Sequence, residues 1–138
     1  MVITREIQLR TQGHTSIEDV TARIQAAVAE SGLKAGIVIL FCPGSTAGLT
    51  TIEYENGVVS DLQQVLDEIV PPDRAYRHHL RWGDDNGSAH VRAALIGPSL
   101  TVPFVAARLL LGAWQQIVFI DFDTGPRARR LVVQVMGE

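Results

Sequence analysis

Three of the chain's four histidines lie in one short segment, HHLRWGDDNGSAH (78–90). His78 and His90 flank a Gly-Asp-Asp-Asn-Gly stretch that can turn sharply and bring both imidazoles together. Neutral imidazoles combined with a carboxylate such as Asp84 bind zinc and other transition metals, whereas magnesium prefers oxygen ligands alone. His79 would point away from His78 on a strand, so we expect only one of that pair to be a ligand. The alternative is an exposed Asn-Gly turn whose polar residues have no common function.

Two carboxylates and one hydroxyl-bearing turn outside this segment are further candidates. Ser45 and Thr46 follow a predicted buried strand, where their hydroxyls and the backbone N–H groups could hold a phosphate. Glu53 stands at the end of the next predicted strand, as a general base, a ligand or a solvated side chain. Asp61 lies on or beside the apolar stripe of a predicted helix, and a carboxylate there is costly to bury unless it is paired. The alternative for Asp61 is a boundary residue that reaches water.

The spacing of apolar residues predicts the elements that position these side chains. Two helices are predicted, one from a Ser16 N-cap to a stop at Gly32 and one over 58–69. Strands are predicted from alternating or continuous apolar runs over 2–10, 36–41, 46–54, 99–104, 108–111, 114–122 and 131–136, with a short helical turn at 90–95. Many strands without regular βαβ alternation indicate an α+β domain with a mainly antiparallel sheet.

Composition excludes several functional classes. A formal charge of −3 and a pI near 5.8 argue against a dedicated nucleic-acid binder. No apolar run approaches the roughly 20 residues needed to cross a bilayer, so no membrane partner is expected. Cys42 is the lone cysteine, which we assign to the core and which indicates a reducing, cytoplasmic compartment. The chain length of 138 residues predicts one domain over 1–138.

Four motifs in order resemble the YjbQ-like family, whose members are often labelled secondary thiamine-phosphate synthases. The motifs are PGSTAGLTTIEYENG (43–57), Tyr76-x-His78, WGDDNGSAHVRAALIGPSLTVPF (82–104) and LGAWQQIVFIDFD (111–123). The resemblance implies an α+β fold with a sandwich-like antiparallel sheet and two or three helices, a homotrimer, and a polar pocket for a metal or an anion. One departure is Gly44, which stands where many bacterial relatives carry a histidine.

The same resemblance implies a set of site residues. The expected catalytic residues are Glu53, Asp61, His78 and His90. The expected substrate-binding residues are Ser45, Thr46, Asn86, Trp114 and Gln115. The expected metal ligands are His78, Asp84 and His90, with zinc and magnesium both left open as the divalent ion.

The activity that the resemblance implies is that of a thiamine-phosphate synthase. Such an enzyme joins a hydroxymethylpyrimidine pyrophosphate to a thiazole phosphate and releases pyrophosphate, whose charge a divalent cation stabilises. Two alternatives stay open: a metal-dependent hydrolase of a small phosphorylated substrate, and a non-catalytic module that binds a small ligand. In each case the expected partner is a small phosphorylated molecule.

Overall fold

Two antiparallel sheets and four helices make up the fold in the computed structural model, which describes all 138 residues apart from the side chain of Trp82. The strands are β1 (Val2–Thr11), β2 (Ser16–Asp19), β3 (Ala35–Phe41), β4 (Ala47–Ile52), β5 (Ser99–Val105), β6 (Arg108–Leu109), β7 (Gln116–Asp121) and β8 (Arg127–Gly137). The helices are α1 (Thr21–Glu30), α2 (Asn56–Ile69), α3 (Arg77–Trp82) and α4 (Gly87–Ile96). The predicted α+β class with a mainly antiparallel, sandwich-like sheet is confirmed.

The larger sheet has the strand order β1-β8-β3-β5-β6, and the smaller has β2-β7-β4. Successive side chains of a strand point to opposite faces, so each strand can contribute to two surfaces. In β3, Val38 and Leu40 are fully buried, whereas Ile37 and Phe41 are 37% and 44% exposed on the opposite face. The larger sheet therefore covers the core with one face and leaves the other uncovered in the single chain.

Strand β7 lies at the centre of the smaller sheet and faces two cores. Ile117 and Phe119 join the main core with residues of the larger sheet and of α1. Val118 and Ile120 face the other way and pack with α2 and α4. The continuous apolar run Ile-Val-Phe-Ile has no polar alternation because both of its faces are buried. The molecule is thus layered as sheet, sheet and helix pair.

The antiparallel register of the smaller sheet determines which loops meet. Ala47 at the start of β4 pairs with Asp121 at the end of β7, and Ile52 at the other end pairs with Gln116. One end of the sheet therefore carries the 44–46 turn together with residues 121–124. The other end lies five residues away along β4, roughly 17 Å at the rise of an extended strand.

Two predicted elements were wrong. Ser16 does not cap a helix: it begins β2, which pairs with β7, and α1 starts at Thr21. The polar loop and short turn predicted over 78–95 are two helices, α3 and α4. α3 ends at Gly83, which has the left-handed conformation with a φ of 68° that is typical of a helix C-terminus. The histidine pattern alone did not indicate this helix. No helix described here is both long and apolar enough to cross a bilayer.

Candidate functional site

The junction between α3 and α4 brings the two separated histidines together, as the Gly-rich spacing predicts. The chain reverses between Gly83 and Gly87, and the ring centroids of His78 and His90 lie 4.4 Å apart. His79 points away from His78, but because the two are consecutive residues of a helix and not because they alternate in a strand, as we expected. Its ring meets the edge of Tyr76 at 5.6 Å between centroids.

Three polar side chains converge beside these rings. His78 Nε2 lies 3.2 Å from Asp84 Oδ1, and the two side chains are 28% and 46% exposed. One end of the Asn86 carboxamide lies 3.0 Å from His78 Nε2 and 2.9 Å from Asp84 Oδ1. These three groups form a triangle with sides of about 3 Å, which we call the His78 triad: His78, Asp84 and Asn86.

The His78 triad is satisfied in two ways. With the Asn86 NH₂ group at the shared corner, it donates to His78 Nε2 and to Asp84, and no ion is needed. With the Asn86 oxygen there, the three groups are compatible when His78 Nε2 carries its proton and donates to Asp84, or when Nε2 is an acceptor and a cation lies among them. Two ligands at right angles around a cation, each about 2.1 Å from it, are about 3 Å apart. The residues present therefore fit a divalent cation.

Among the described side chains, no group of three or more His, Cys, Asp or Glu is arranged to hold a metal ion. The predicted ligand set of His78, Asp84 and His90 is therefore incomplete as a cluster. Asn86, expected to bind substrate, supplies the third corner with Asp84 and His78. His90 contacts the ring of His78 and also lines a groove on the other side of it.

That groove has a volume of about 250 Å³ and runs between α4 and the 44–46 turn. Ser45 and His90 supply its polar groups, and Ala47, Ala93 and Pro98 supply much of its apolar wall. The groove admits a small molecule and places it next to one of the two facing imidazoles. Neither arginine nor lysine is among its lining residues.

A buried ionic network lies under the same end of the sheet. Arg129 donates from Nε and Nη2 to both oxygens of Asp121 at 2.8 Å, and its Nη2 also donates to Thr46 Oγ1 at 2.7 Å. Thr46 in turn donates to Asp123 Oδ2 at 3.1 Å. In one orientation of its carboxamide, Asn86 Nδ2 reaches Asp123 Oδ1 at 3.4 Å. The network thus connects the 44–46 turn to the His78 triad.

Both carboxyl groups of this network are held in the charged form. Burial alone would raise the pKa of Asp121, but hydrogen bonds from Arg129 and Thr11 outweigh it and lower that pKa below its usual value. Burial likewise opposes ionisation of Asp123, and hydrogen bonds from the Thr124 backbone and the Thr46 side chain lower its pKa. Burial raises the pKa of the Cys42 thiol, and Cys42 is fully buried, as expected of a core residue.

Several predicted site residues lie far from the His78 triad. Glu53 follows β4, and Trp114 and Gln115 precede β7, so all three are at the opposite end of the smaller sheet. Gln115 Nε2 donates to Thr51 Oγ1 there, and Trp114 is 76% exposed rather than in the core. The sequence motifs carry no information on this separation, because it arises from strand register.

The structure also shows the surroundings of Asp61 and Thr46, whose predicted roles in the site stay predictions. Asp61 is exposed on α2, so it is the boundary residue of the alternative interpretation and needs no buried partner. Thr46 is 4% exposed, and its hydroxyl accepts a hydrogen bond from Arg129 and donates one to Asp123, so it supports the turn. Our sequence reasoning missed Asp121, Asp123 and Arg129, although the acidic end of FIDFD, three residues before RARR, was a visible signal.

Close packing of α3 against α4 gives a first testable prediction. A Cβ at Gly87 would lie 2.6 Å from Tyr76 Cβ and 3.2 Å from His79 Cε1. We expect Gly87→Ala to lower the free energy of unfolding by about 1–3 kcal/mol, as overpacking does, measured by urea denaturation. Gly125→Ala is the control, because nothing lies within 4 Å of a Cβ there. Equal stabilities of the two variants would contradict this packing.

Fold and site together define a small α+β protein with a surface imidazole–carboxylate cluster, and comparison with known proteins identifies its family. The family described as "UPF0047 protein YjbQ-like" matches residues 5–138. A UPF0047 protein of Methanothermobacter thermautotrophicus is 37% identical over 99% of this chain and 94% of its own. UPF0047 protein YugU of Bacillus subtilis is 32% identical over 96% and 98%. The chain belongs to the YjbQ-like, or UPF0047, family.

Solved structures agree with this assignment. The crystal structure of a hypothetical protein from Aeropyrum pernix K1 has a TM-score of 0.92 and 30% identity, covering 99% of each chain. A YbjQ-like protein of unknown function from Sulfolobus solfataricus P2 has a TM-score of 0.90 and 28% identity, covering both chains fully.

These comparisons overturn the predicted activity. The relatives are named only as UPF0047 proteins, and a solved relative is described as having unknown function. None of these names carries a thiamine-phosphate synthase label, so the assignment of that activity from the resemblance was wrong. The resemblance identified the family correctly but does not establish a reaction.

Proposed function

We propose that the His78 triad binds a divalent cation and presents it, beside His90, to a small ligand in the groove. The observation that carries this proposal is the approach of Asn86 to both Asp84 Oδ1, at 2.9 Å, and His78 Nε2, at 3.0 Å. A mixed nitrogen and oxygen ligand set favours a transition metal such as zinc or manganese over magnesium. When bound, the cation would polarise an oxygen atom of the ligand.

His90 has a distinct role in this proposal. Its ring stacks obliquely on His78 at 4.4 Å and also lines the groove, so it faces both the proposed ion and the ligand. An imidazole in that place is positioned to transfer a proton to or from the ligand. Ser45, across the groove, offers a hydroxyl to orient the ligand. A phosphorylated ligand would be neutralised there by the cation, since neither arginine nor lysine is among the described residues that line the groove.

The experiment for this proposal is elemental analysis of the protein as purified and after reconstitution with zinc, manganese or magnesium, followed by desalting. About one equivalent of a transition metal per chain is the result we expect. Failure to retain any of the three ions would contradict the cation site. It would favour the second candidate, a metal-free acid–base cluster in which the Asn86 NH₂ group donates to His78 and Asp84.

We also propose that the chain assembles as a homotrimer in the cytoplasm. The resemblance implies the trimer, and the uncovered face of the larger sheet supports it, since exposed Ile37, Phe41 and Val105 lie on that face. Apolar patches of this kind are usually covered by a partner surface. Assembly would also allow Trp114 of a neighbouring subunit to approach a site that it cannot reach within one chain.

The trimer gives a prediction for light scattering. Phe41→Lys places a charge in the uncovered sheet face, and we expect it to convert the trimer to monomer at micromolar concentration. Ile69→Lys is the control, because Ile69 is 58% exposed on α2, away from that sheet. A wild-type mass of one chain, or a trimer unaffected by Phe41→Lys, would contradict this interface.

A further inference from the structure

A second cleft lies on the other flank of α4. Its volume is about 460 Å³, larger than that of the groove beside His90. Ser88 and Arg92 are one helical turn apart and line this cleft, whereas His90 lines the groove. One helix therefore separates two sites with different chemistry.

The floor of the cleft holds a buried cation. Arg92 is 4% exposed, and Thr15, Ser88 and Phe122 beside it are also buried. The guanidinium donates from Nε and Nη2 to the carbonyl oxygen of Val70. Nη1 carries two N–H groups but has a single acceptor, Thr15 Oγ1 at 2.7 Å, among the described residues. One N–H of a buried guanidinium is therefore left for a ligand.

The remaining contact of Arg92 is with an exposed carboxylate. Asp67 Oδ1 lies 2.9 Å from Nη2, and the Asp67 side chain is 63% exposed. An exposed side chain of this kind contributes little by itself and can turn away when a carboxylate of a ligand takes its place. Asp85 is the second acidic residue of the cleft and is also exposed. Positive charge lies at the floor and negative charge at the rim.

Backbone strain is concentrated at the same cleft. His14, Thr15 and Asp85 all have positive φ, at 52°, 63° and 55°, and all three line it. Such conformations are unfavourable for residues other than glycine and persist where the surrounding structure requires them, often at ligand sites. Two hydrogen bonds hold Thr15 in this conformation: Arg92 donates to its hydroxyl, and Gln63 donates to its carbonyl oxygen.

We infer that this cleft binds a small zwitterion of the α-amino acid type. The carboxylate of the ligand would accept hydrogen bonds from Arg92 and from the hydroxyls of Thr15 or Ser88. Its ammonium group would lie against Asp67 and Asp85 at the rim. The separation of charge from floor to rim favours a dipolar ligand over a simple anion, because a simple anion would meet the two carboxylates without compensation. This site does not depend on the cation site.

The test is titration calorimetry on the full chain, after an NMR screen of the standard L-α-amino acids at millimolar concentration. For the best ligand, the matched probes are its carboxylic acid without the amine and its amine without the carboxylate. For alanine these are propionate and ethylamine. We expect each probe to bind at least about tenfold more weakly, since each loses one charge-assisted contact. No binding by any amino acid, or equal binding of the carboxylic acid, would overturn the inference.

Variants at the rim keep the test independent of folding. Asp67→Asn combined with Asp85→Asn alters only exposed side chains, and we expect it to weaken amino-acid binding at least about tenfold. Asp61→Asn is the control, because Asp61 is exposed on the same helix as Asp67 and does not line the cleft. Unchanged or tighter amino-acid binding in the double variant would mean that Asp67 and Asp85 do not bind the ammonium group of the ligand. This result would overturn the inference of a zwitterionic ligand.

Discussion

Asp121→Ala is expected to lower the free energy of unfolding by about 3–5 kcal/mol, because it leaves a buried guanidinium without its hydrogen-bonded counter-charge, and Asp123 Oδ2 lies 3.8 Å from Arg129 Nη2. Asp121 is fully buried, and Arg129, which donates two hydrogen bonds to it, is about 5% exposed. Denaturation in urea at neutral pH measures the loss. The control is Glu6→Ala, which removes a partner of exposed Arg130 and should cost less than about 1 kcal/mol.

The same ion pair predicts a dependence on pH. The folded-state pKa of Asp121 lies below the ordinary value of 3.8, so its contribution is fully present above that pH. The contribution is lost as the pH falls from 3.8 through the lower folded pKa, since the unfolded chain then binds the proton first. The stability of Asp121→Ala should therefore fall less steeply in this acid range. Parallel acid profiles, or a loss below about 1 kcal/mol at neutral pH, would contradict the role given to this pair.

His78→Ala is expected to weaken the binding of zinc or manganese at least about a hundredfold, because it removes a proposed ligand of the cation. Loss of an outer-shell partner already costs 10–100-fold, so loss of a ligand should cost no less. Titration against a competing chelator measures the affinity. His14→Ala is the control, because His14 is exposed and lies outside the triad. Equal affinities of the two variants would exclude His78 as a ligand.

Asn86→Asp separates the two states of the triad by the sign of its effect. If a cation occupies the centre, the added carboxylate should strengthen its binding. If the Asn86 NH₂ group fills that place instead, the variant replaces a donor by an acceptor 2.9 Å from Asp84 and should destabilise the protein without creating metal affinity. Metal titration and urea denaturation of one variant therefore distinguish the two candidate functions.

The elements that could be predicted from the sequence were those whose pattern is local. The apolar run at 36–41 and the amphipathic spacing at 58–69 both appear in the structure as β3 and α2. The segment after Tyr76 could not be predicted, because its polar composition resembles a loop while tertiary packing of α3 against α4 makes it helical. Ser16 was misassigned for a similar reason: its pairing partner is Asp121, 105 positions along the chain.

The candidate site also has features that the sequence predicted and features that it did not. The approach of His78 and His90 followed from the flexible spacing between them, and the structure places their rings together. The separation of Ser45 from Trp114 could not be read from motifs, because it depends on the register of β4 with β7. The support that Arg129 gives to Thr46 was equally hidden, since it joins residues 83 positions apart. Residue types indicated the chemistry, whereas strand pairing determined which residues distant in sequence meet.

The most direct measurement is anomalous X-ray diffraction, at the zinc or manganese absorption edge, from crystals of the protein grown with that ion. We predict an anomalous peak among His78 Nε2, Asp84 Oδ1 and the Asn86 carboxamide oxygen, within reach of all three. A difference map without a peak there, with the protein ordered and the ion in excess, would contradict the cation site. The His78 triad would then be a hydrogen-bonded cluster, closed by the Asn86 NH₂ group.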